Sequence, residues 1–230
     1  MKRAVISIFA ATLFALAVFC LAGCKPPQGQ LAANAAIAEM GALEKADPAA
    51  ISYLPEVTQA QQLEQIGISQ EEFFGWWLAG LTYSLGDLEM NNEEDDALIN
   101  AKITCHQLEP IIKQWSNEYV AWLVDNKQAI EAGQSEDPCE YGRMLLQSLF
   151  ENTEPLLYEC MVHVHKYDDD WSVVGDADNG LYRDALLGST DDLSGYYQAP
   201  LSELAELGVK LPVSSGEEPA DQADQPTNEA

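Results

Sequence analysis

Side chains that can ligate a metal ion gather in one short segment, where Cys160, His163 and His165 follow each other closely. Thiolate and imidazole ligands select Zn²⁺ and related ions. We expect this segment to be helical, and on a helix His163 and His165 point about 200° apart, so they cannot share one ion. Cys160 and His163 can share one, and Cys105 with His106 would complete the set. The alternative is that the histidines are packed in the core or lie on the surface.

A second group of candidate metal ligands is acidic. Asp168, Asp170, Asp176 and Asp178 lie in one stretch, and carboxylate oxygens are the ligands that Ca²⁺ prefers. The EF-hand pattern is not met, because with Gly180 at the sixth loop position no acid falls at the first or third. The stretch predicts at most an irregular Ca²⁺ site, with a solvated acidic loop as the alternative. No other cofactor is expected.

Motifs for catalysis are missing from the sequence. It contains no nucleophile elbow, phosphate-binding glycine loop, HExxH pair or Ser-His-Asp pattern. Carboxylates are abundant enough to hide the catalytic pair of a hydrolase, but no pair stands out from its neighbours. We therefore predict no catalytic residue and a function that is not enzymatic.

The N-terminus has the form of an export signal. Lys2 and Arg3 precede an apolar run over residues 4–19, and the run leads to Leu21-Ala22-Gly23-Cys24. This tetrapeptide resembles the lipobox of bacterial lipoproteins. The resemblance implies cleavage before Cys24 and acylation of its sulfur, with palmitate-type chains that anchor the protein to a membrane. An uncleaved membrane-spanning helix is the alternative.

The residue after the cysteine bears on the membrane to which the protein is sent. By analogy with that family, Lys25 differs from the Asp that retains many lipoproteins at the inner membrane. We expect the outer membrane, with the domain facing the periplasm. Disulfides persist in that compartment, so Cys105, Cys139 and Cys160 can form one bridge. A bridge from Cys105 to one of the other two is favoured, and three buried free thiols are the alternative.

The segments that carry the candidate site residues are predicted to be helices. Apolar periodicity with Pro and Gly stops places helices at 31–46, 56–66, 70–90, 97–107, 110–133, 138–149 and 155–167, with shorter turns at 181–187 and 201–207. Ser69 and Glu72 form a capping box, and Asp137 before Pro138 is a second helix start. We predict an all-α fold, a single irregular bundle of about six to eight helices.

The domain organisation follows from these boundaries. We expect a signal peptide over 1–23, a tether over 24–30, one helical domain over 31–213 and a disordered acidic tail over 214–230. Apolar residues make up 47% of the 230-residue chain, which is enough for a packed core.

The net negative charge of the chain limits the kinds of macromolecule that it can bind. The chain holds 38 acidic and 11 basic residues, and cleavage of the signal would leave nine basic ones and a net charge of −29. Nucleic-acid binding is excluded on this ground, because it relies on Lys and Arg. A basic protein of the envelope is the expected partner. The helix over 70–90 is apolar nearly all round, so Phe73, Trp76 and Trp77 are the candidate docking residues.

The leading hypothesis is thus a lipid-anchored protein that binds or scaffolds a partner. One version is an immunity or exclusion protein directed against a basic toxin or phage component. The other hypotheses are a lipoprotein that binds a small ligand or a metal, Ca²⁺ or Zn²⁺, and a hydrolase with paired carboxylates.

Overall fold

The core of the fold is a four-stranded antiparallel sheet covered on one face by helices. The computed structural model describes residues 27–47, 54–91, 93–176, 179–189 and 191–211. The strands stand in the order β1-β2-β3-β4, and their bounds are Thr82–Met90 for β1, Asp96–Cys105 for β2, Leu156–Tyr167 for β3 and Asp170–Val173 for β4. The longest pairing joins β2 to β3, from Asp96 opposite His165 to Cys105 opposite Leu156.

The helices lie on the apolar face of this sheet. They are α1 (Gln28–Glu44), α2 (Pro55–Gln59), α3 (Gln70–Trp77), α4 (Leu108–Asp125), α5 (Lys127–Glu131), α6 (Pro138–Asn152) and α7 (Ser194–Glu206), with a 3-10 helix over Ala60–Ile66 and a π-helix over Leu181–Leu187. Helix α1 contacts all four strands, and the π-helix packs against β2 and β3. Helix α4 packs against α6 and α7 and forms the second layer of the core.

The prediction of an all-α bundle is therefore wrong. The helix expected over 70–90 ends at Trp77, and its second half is strand β1. The segments expected as helices over 97–107 and 155–167 are strands β2 and β3. The fold is mixed, with a helical layer and an antiparallel sheet.

Burial explains why the last two segments are strands. Along β2 every second residue is buried, namely Ala97, Ile99, Ala101, Ile103 and Cys105. Along β3 the same alternation buries Cys160, Val162 and Val164. A spacing of two turns every second side chain towards one face of a pleated strand. Two alanines and several polar residues obscure this pattern, so the sequence of β2 is equally consistent with a helix.

Two predicted helix starts are confirmed. The Ser69 hydroxyl accepts a hydrogen bond from the Glu72 N–H, and the Glu72 carboxylate accepts one in return from the Ser69 N–H, at the start of α3. The Asp137 carboxylate accepts a hydrogen bond of 2.9 Å from the Cys139 N–H, with Pro138 as the first residue of α6. These caps satisfy N–H groups that have no partner within the helix.

Several predictions fall outside the described residues. They are the signal peptide, the acylated Cys24 and the acidic tail over 214–230. Helix α1 begins at Gln28, so the last three residues of the predicted tether are helical. None of the helices in the described ranges combines the length and the apolar character that crossing a membrane requires.

One buried histidine makes the stability of this core depend on pH. His106 is buried, and its Nδ1 has no hydrogen-bond partner among the described residues. Burial lowers the pKa of His106 below its ordinary value of 6.5. The unfolded chain therefore takes up a proton at a higher pH than the folded one, so His106 costs stability as pH falls below about 6.5 and costs none above it.

We expect the free energy of unfolding to fall between about pH 7 and about pH 5, and to fall less steeply in His106→Leu. Urea unfolding at the two pH values measures both slopes. Equal slopes in the two proteins would show that His106 titrates normally.

Candidate functional site on the exposed face of the sheet

The aromatic residues predicted to dock a partner belong mostly to the core. Phe73 is 1% exposed and Trp77 is 0% exposed. The Trp77 indole N–H donates a hydrogen bond of 3.0 Å to the His106 carbonyl, which ties α3 to the end of β2. Trp76 is half-buried and packs against the same core. A docking surface made of these three rings is therefore not present on the folded chain.

The three cysteines of the described chain are free and buried. Cys105 stands opposite Leu156, and Cys160 stands opposite Ala101. These two cross-strand pairs are four residues apart, or about 13 Å along the strands, which exceeds the reach of a disulfide. This register excludes a bridge from Cys105 to Cys160, and Cys105 forms none with Cys139 either, so the favoured bridge from Cys105 to one of the other two is absent. Burial also raises the pKa of Cys105 to about 12 and that of Cys160 to about 11.

Three of the four acids of the predicted calcium site are described in the structure, and these three do not come together. Asp168 is in the hairpin turn between β3 and β4, and Asp170 stands opposite Tyr167. Asp176 lies beyond β4, where its carboxylate accepts a hydrogen bond from the N–H of Asn179, whose side chain is bonded to His163. Positions 163 and 167 are about 13 Å apart along β3, so these acids do not converge. Asp178 lies outside the described residues.

The predicted pairing of Cys160 with His163 is wrong for the same reason as the helix. On a strand, residues three apart point to opposite faces, and Cys160 faces the core while His163 faces outward. His163 and His165 lie on one face instead. The expectation that they point about 200° apart and cannot act together depended on the helix and is wrong as well.

Both histidines bond to one carboxylate that the sequence did not single out. His163 Nε2 and His165 Nδ1 each lie 2.8 Å from Asp96 Oδ1 on the neighbouring strand. These hydrogen bonds, with that from His165 first, lower the pKa of Asp96 below its usual value. Asp96 was missed because it comes from a segment assigned to a helix start, and only strand pairing places it beside His165.

A buried asparagine holds this cluster in place. Asn179 is 3% exposed. Its amide oxygen accepts from the N–H of His163, and its amide nitrogen donates to the carbonyls of His163 and Val174. These bonds supplement the pairing at the end of β4, where the Val174 N–H also donates a hydrogen bond of 2.9 Å to the His163 carbonyl. The backbone at His163 is fixed on both its donor and its acceptor.

Two shallow depressions on the same face flank the centre of β3. One, of about 460 Å³, lies between Met161 and a bulge in β1, where Leu85 stands opposite Ala101 but Leu88 stands opposite Ile99. The other, of about 370 Å³, lies between Met161 and Asp176 and is bordered by His163.

Large apolar side chains on this face of the sheet are open to solvent. Leu98 is 40% exposed, Leu157 is 61% exposed and Tyr167 is 54% exposed. The residues of β2 and β3 on this face alternate with those buried under the helices. Leu98 borders the second depression, whereas Leu157 and Tyr167 lie towards the two ends of β3. Large apolar side chains exposed on one face are typical of a surface that binds a partner. A scan of protein-family models and searches of curated proteins and of solved structures find no match to this chain, so its function must be inferred from this exposed face.

Proposed function

We propose that this protein is a bacterial envelope lipoprotein, anchored by Cys24, that binds a protein partner through the exposed face of its sheet and is not an enzyme. The observation that carries the proposal is the exposure of Leu98, Leu157 and Tyr167 on one sheet face. Burying such side chains contributes about 25 cal/mol per Å² of apolar surface. A partner that covers this face gains that free energy in addition to any polar contact.

The charges on this face favour a basic partner. Lys102 Nζ lies 2.7 Å from Glu159 Oε1, and Arg183 Nε lies 2.6 Å from Asp184 Oδ1, so each basic side chain of the depressions has an acidic neighbour. Asp87 and Asp176 border the same depressions. With a net charge of −27 for the whole chain, the field around this face attracts cationic segments and speeds their encounter.

The anchor would hold the domain close to the membrane. Helix α1 begins at Gln28, four residues after Cys24. A chain of four residues spans at most about 14 Å, so an acylated Cys24 keeps the domain within that distance of the lipid. A short tether restricts the partner to proteins in the same membrane or next to it.

The anchor is tested by replacing the acylated residue. We expect Cys24→Ala to accumulate as an unprocessed precursor, because the lipid is attached to that sulfur before cleavage. Immunoblotting of membrane fractions detects the difference in mass, and Cys20→Ala is the matched control that still matures. Normal maturation of Cys24→Ala would contradict the proposal.

The binding face is tested on the lipidated full-length protein. A partner should crosslink to the wild type and co-purify with it. We expect the double variant Leu98→Ser with Leu157→Ser to capture at least about tenfold less of that partner, because both side chains are large exposed apolar groups of the proposed face. Val124 and Met144 are each 56% exposed but lie on α4 and α6. Val124→Ser with Met144→Ser is therefore the matched control.

Quantitative mass spectrometry of crosslinked envelopes compares the two double variants with the wild type. Loss of the partner only from the sheet-face variant supports the proposal. Equal capture by both variants would place the interface elsewhere.

A further inference from the structure

Asp96, His163 and His165 bring together the donor atoms of a transition-metal site. The two imidazoles are on one strand with one residue between them, and the carboxylate is on the next strand directly opposite His165. Both rings approach the same oxygen, Asp96 Oδ1, at 2.8 Å. The three side chains are each about a third exposed, so an ion and solvent can reach them.

The donor set selects the class of ion. Two imidazole nitrogens and one carboxylate oxygen suit Zn²⁺, Cu²⁺, Ni²⁺ or Co²⁺, whereas Ca²⁺ and Mg²⁺ take oxygen ligands. Three protein ligands leave a fourth position of a tetrahedral ion open to water or to another ligand. The strongly acidic chain adds a field that draws cations to its surface.

A metal ion would need the donor atoms of this cluster to lie slightly farther apart than the hydrogen bonds hold them. In the described part of the chain, no three His, Cys, Asp or Glu side chains are spaced for an ion as they stand. At Asp96, hydrogen bonds hold both ring nitrogens 2.8 Å from the carboxylate oxygen. Ligand atoms around a tetrahedral Zn²⁺ are about 3.3 Å apart. An increase of about half an ångström in each nitrogen–oxygen distance, within reach of side-chain rotations, brings these two distances to the value found around such an ion.

The protonation of the two imidazole rings also allows a metal ion to replace the hydrogen bonds. The present hydrogen bonds need a proton on His163 Nε2 and on His165 Nδ1. A metal takes the lone pairs of these same atoms in the other neutral tautomer. Because both rings are partly exposed, water can carry the protons between ring nitrogens.

Neighbouring residues support a fixed site. Asn179 bonds to both backbone groups of His163, as described above. Asn91 Nδ2 lies 3.3 Å from Asp96 Oδ2, the oxygen that does not face the histidines. Partners of this kind orient ligating side chains and raise metal affinity.

We propose that Asp96, His163 and His165 bind one divalent transition-metal ion, with Zn²⁺ as the physiological candidate, on the exposed face of the sheet. His163 also borders the depression next to Asp176. A metal at this position has its open coordination site towards the surface that we propose as the binding face.

The test is a titration of the full-length lipidated protein in detergent, purified with a tag that contains no histidine. Calorimetry with Zn²⁺ alone is expected to give one saturable site. Co²⁺ is expected to give the strong visible absorption of a tetrahedral ion rather than the weak bands of the hexaaqua ion. His163→Gln, His165→Gln and Asp96→Asn should each weaken Zn²⁺ binding at least about tenfold.

Asp170→Asn is the matched control, since it removes one exposed carboxylate from the same sheet without touching the cluster. Retained binding in this control and loss in the three site variants support the proposal. Circular dichroism of the metal-free variants shows that they are folded. Absence of a saturable Zn²⁺ site, or an equal weakening of Zn²⁺ binding by Asp170→Asn, would overturn the proposal.

Discussion

Replacing Gly142 by alanine is expected to destabilise the protein by about 3 kcal/mol, because a new methyl group would overlap a buried ring. A Cβ at this position of α6 would lie 2.4 Å from Cε1 of Tyr119. Tyr119 is fully buried, and its hydroxyl donates a hydrogen bond of 2.6 Å to the Pro138 carbonyl. The Gly142 carbonyl in turn accepts from the Trp115 indole at 2.9 Å. Neither the ring nor the helix can move without breaking one of these bonds.

Gly75→Ala is the control for this substitution. Gly75 is inside α3, and a Cβ there meets nothing within 4 Å. Because glycine costs a helix roughly 0.5–1 kcal/mol relative to alanine, this control should be neutral or stabilising. Thermal unfolding separates the two variants: Gly142→Ala should melt about 6–12 °C lower than the wild type. Equal melting temperatures would mean that α4 and α6 do not pack as closely as described.

Replacing Asn179 by alanine is expected to cost about 3 kcal/mol of unfolding free energy, since it leaves buried polar groups without partners. The Asn179 side chain makes hydrogen bonds to backbone groups of His163, Val174 and Leu181. These groups lie at the end of the pairing between β3 and β4, where a hydrogen bond from the Val174 N–H to the His163 carbonyl is the last backbone contact. The expected loss combines several unsatisfied groups, each of which costs about 1–3 kcal/mol when fully buried.

Asn152→Ala is the matched control. Asn152 is exposed at the end of α6, and its amide donates to Ser148 within the same helix. Its loss should change stability by less than about 0.5 kcal/mol. Urea unfolding of both variants gives the comparison. Hydrogen exchange at the His163 amide should also accelerate in Asn179→Ala, and unchanged protection there would contradict the assigned role.

Local signals predicted several parts of the fold correctly. The capping box at Ser69, the Asp137 cap and helices α4 and α6 follow from residues that interact within one or two turns. These interactions join residues that are close together in the chain, so the local sequence is enough to predict them.

Strand pairing could not be predicted from the local sequence. The three helices α4, α5 and α6 separate β2 from β3 in the chain. Paired residues are 69 positions apart at Asp96 and His165 and 51 apart at Cys105 and Leu156. The alternation along β2 includes Ala97 and Ala101, which are also good helix residues. Burial against a distant partner decides such a segment, and local propensity does not.

The candidate site depended on that pairing entirely. The sequence by itself determined an acidic chain with two histidines close together and no catalytic motif. Only the tertiary structure decided that His163 and His165 share a face, that Asp96 lies between them, and that Phe73 and Trp77 are buried. The physical reason is that a change from helical to strand geometry reverses which side chains point together, and that choice is made by long-range packing.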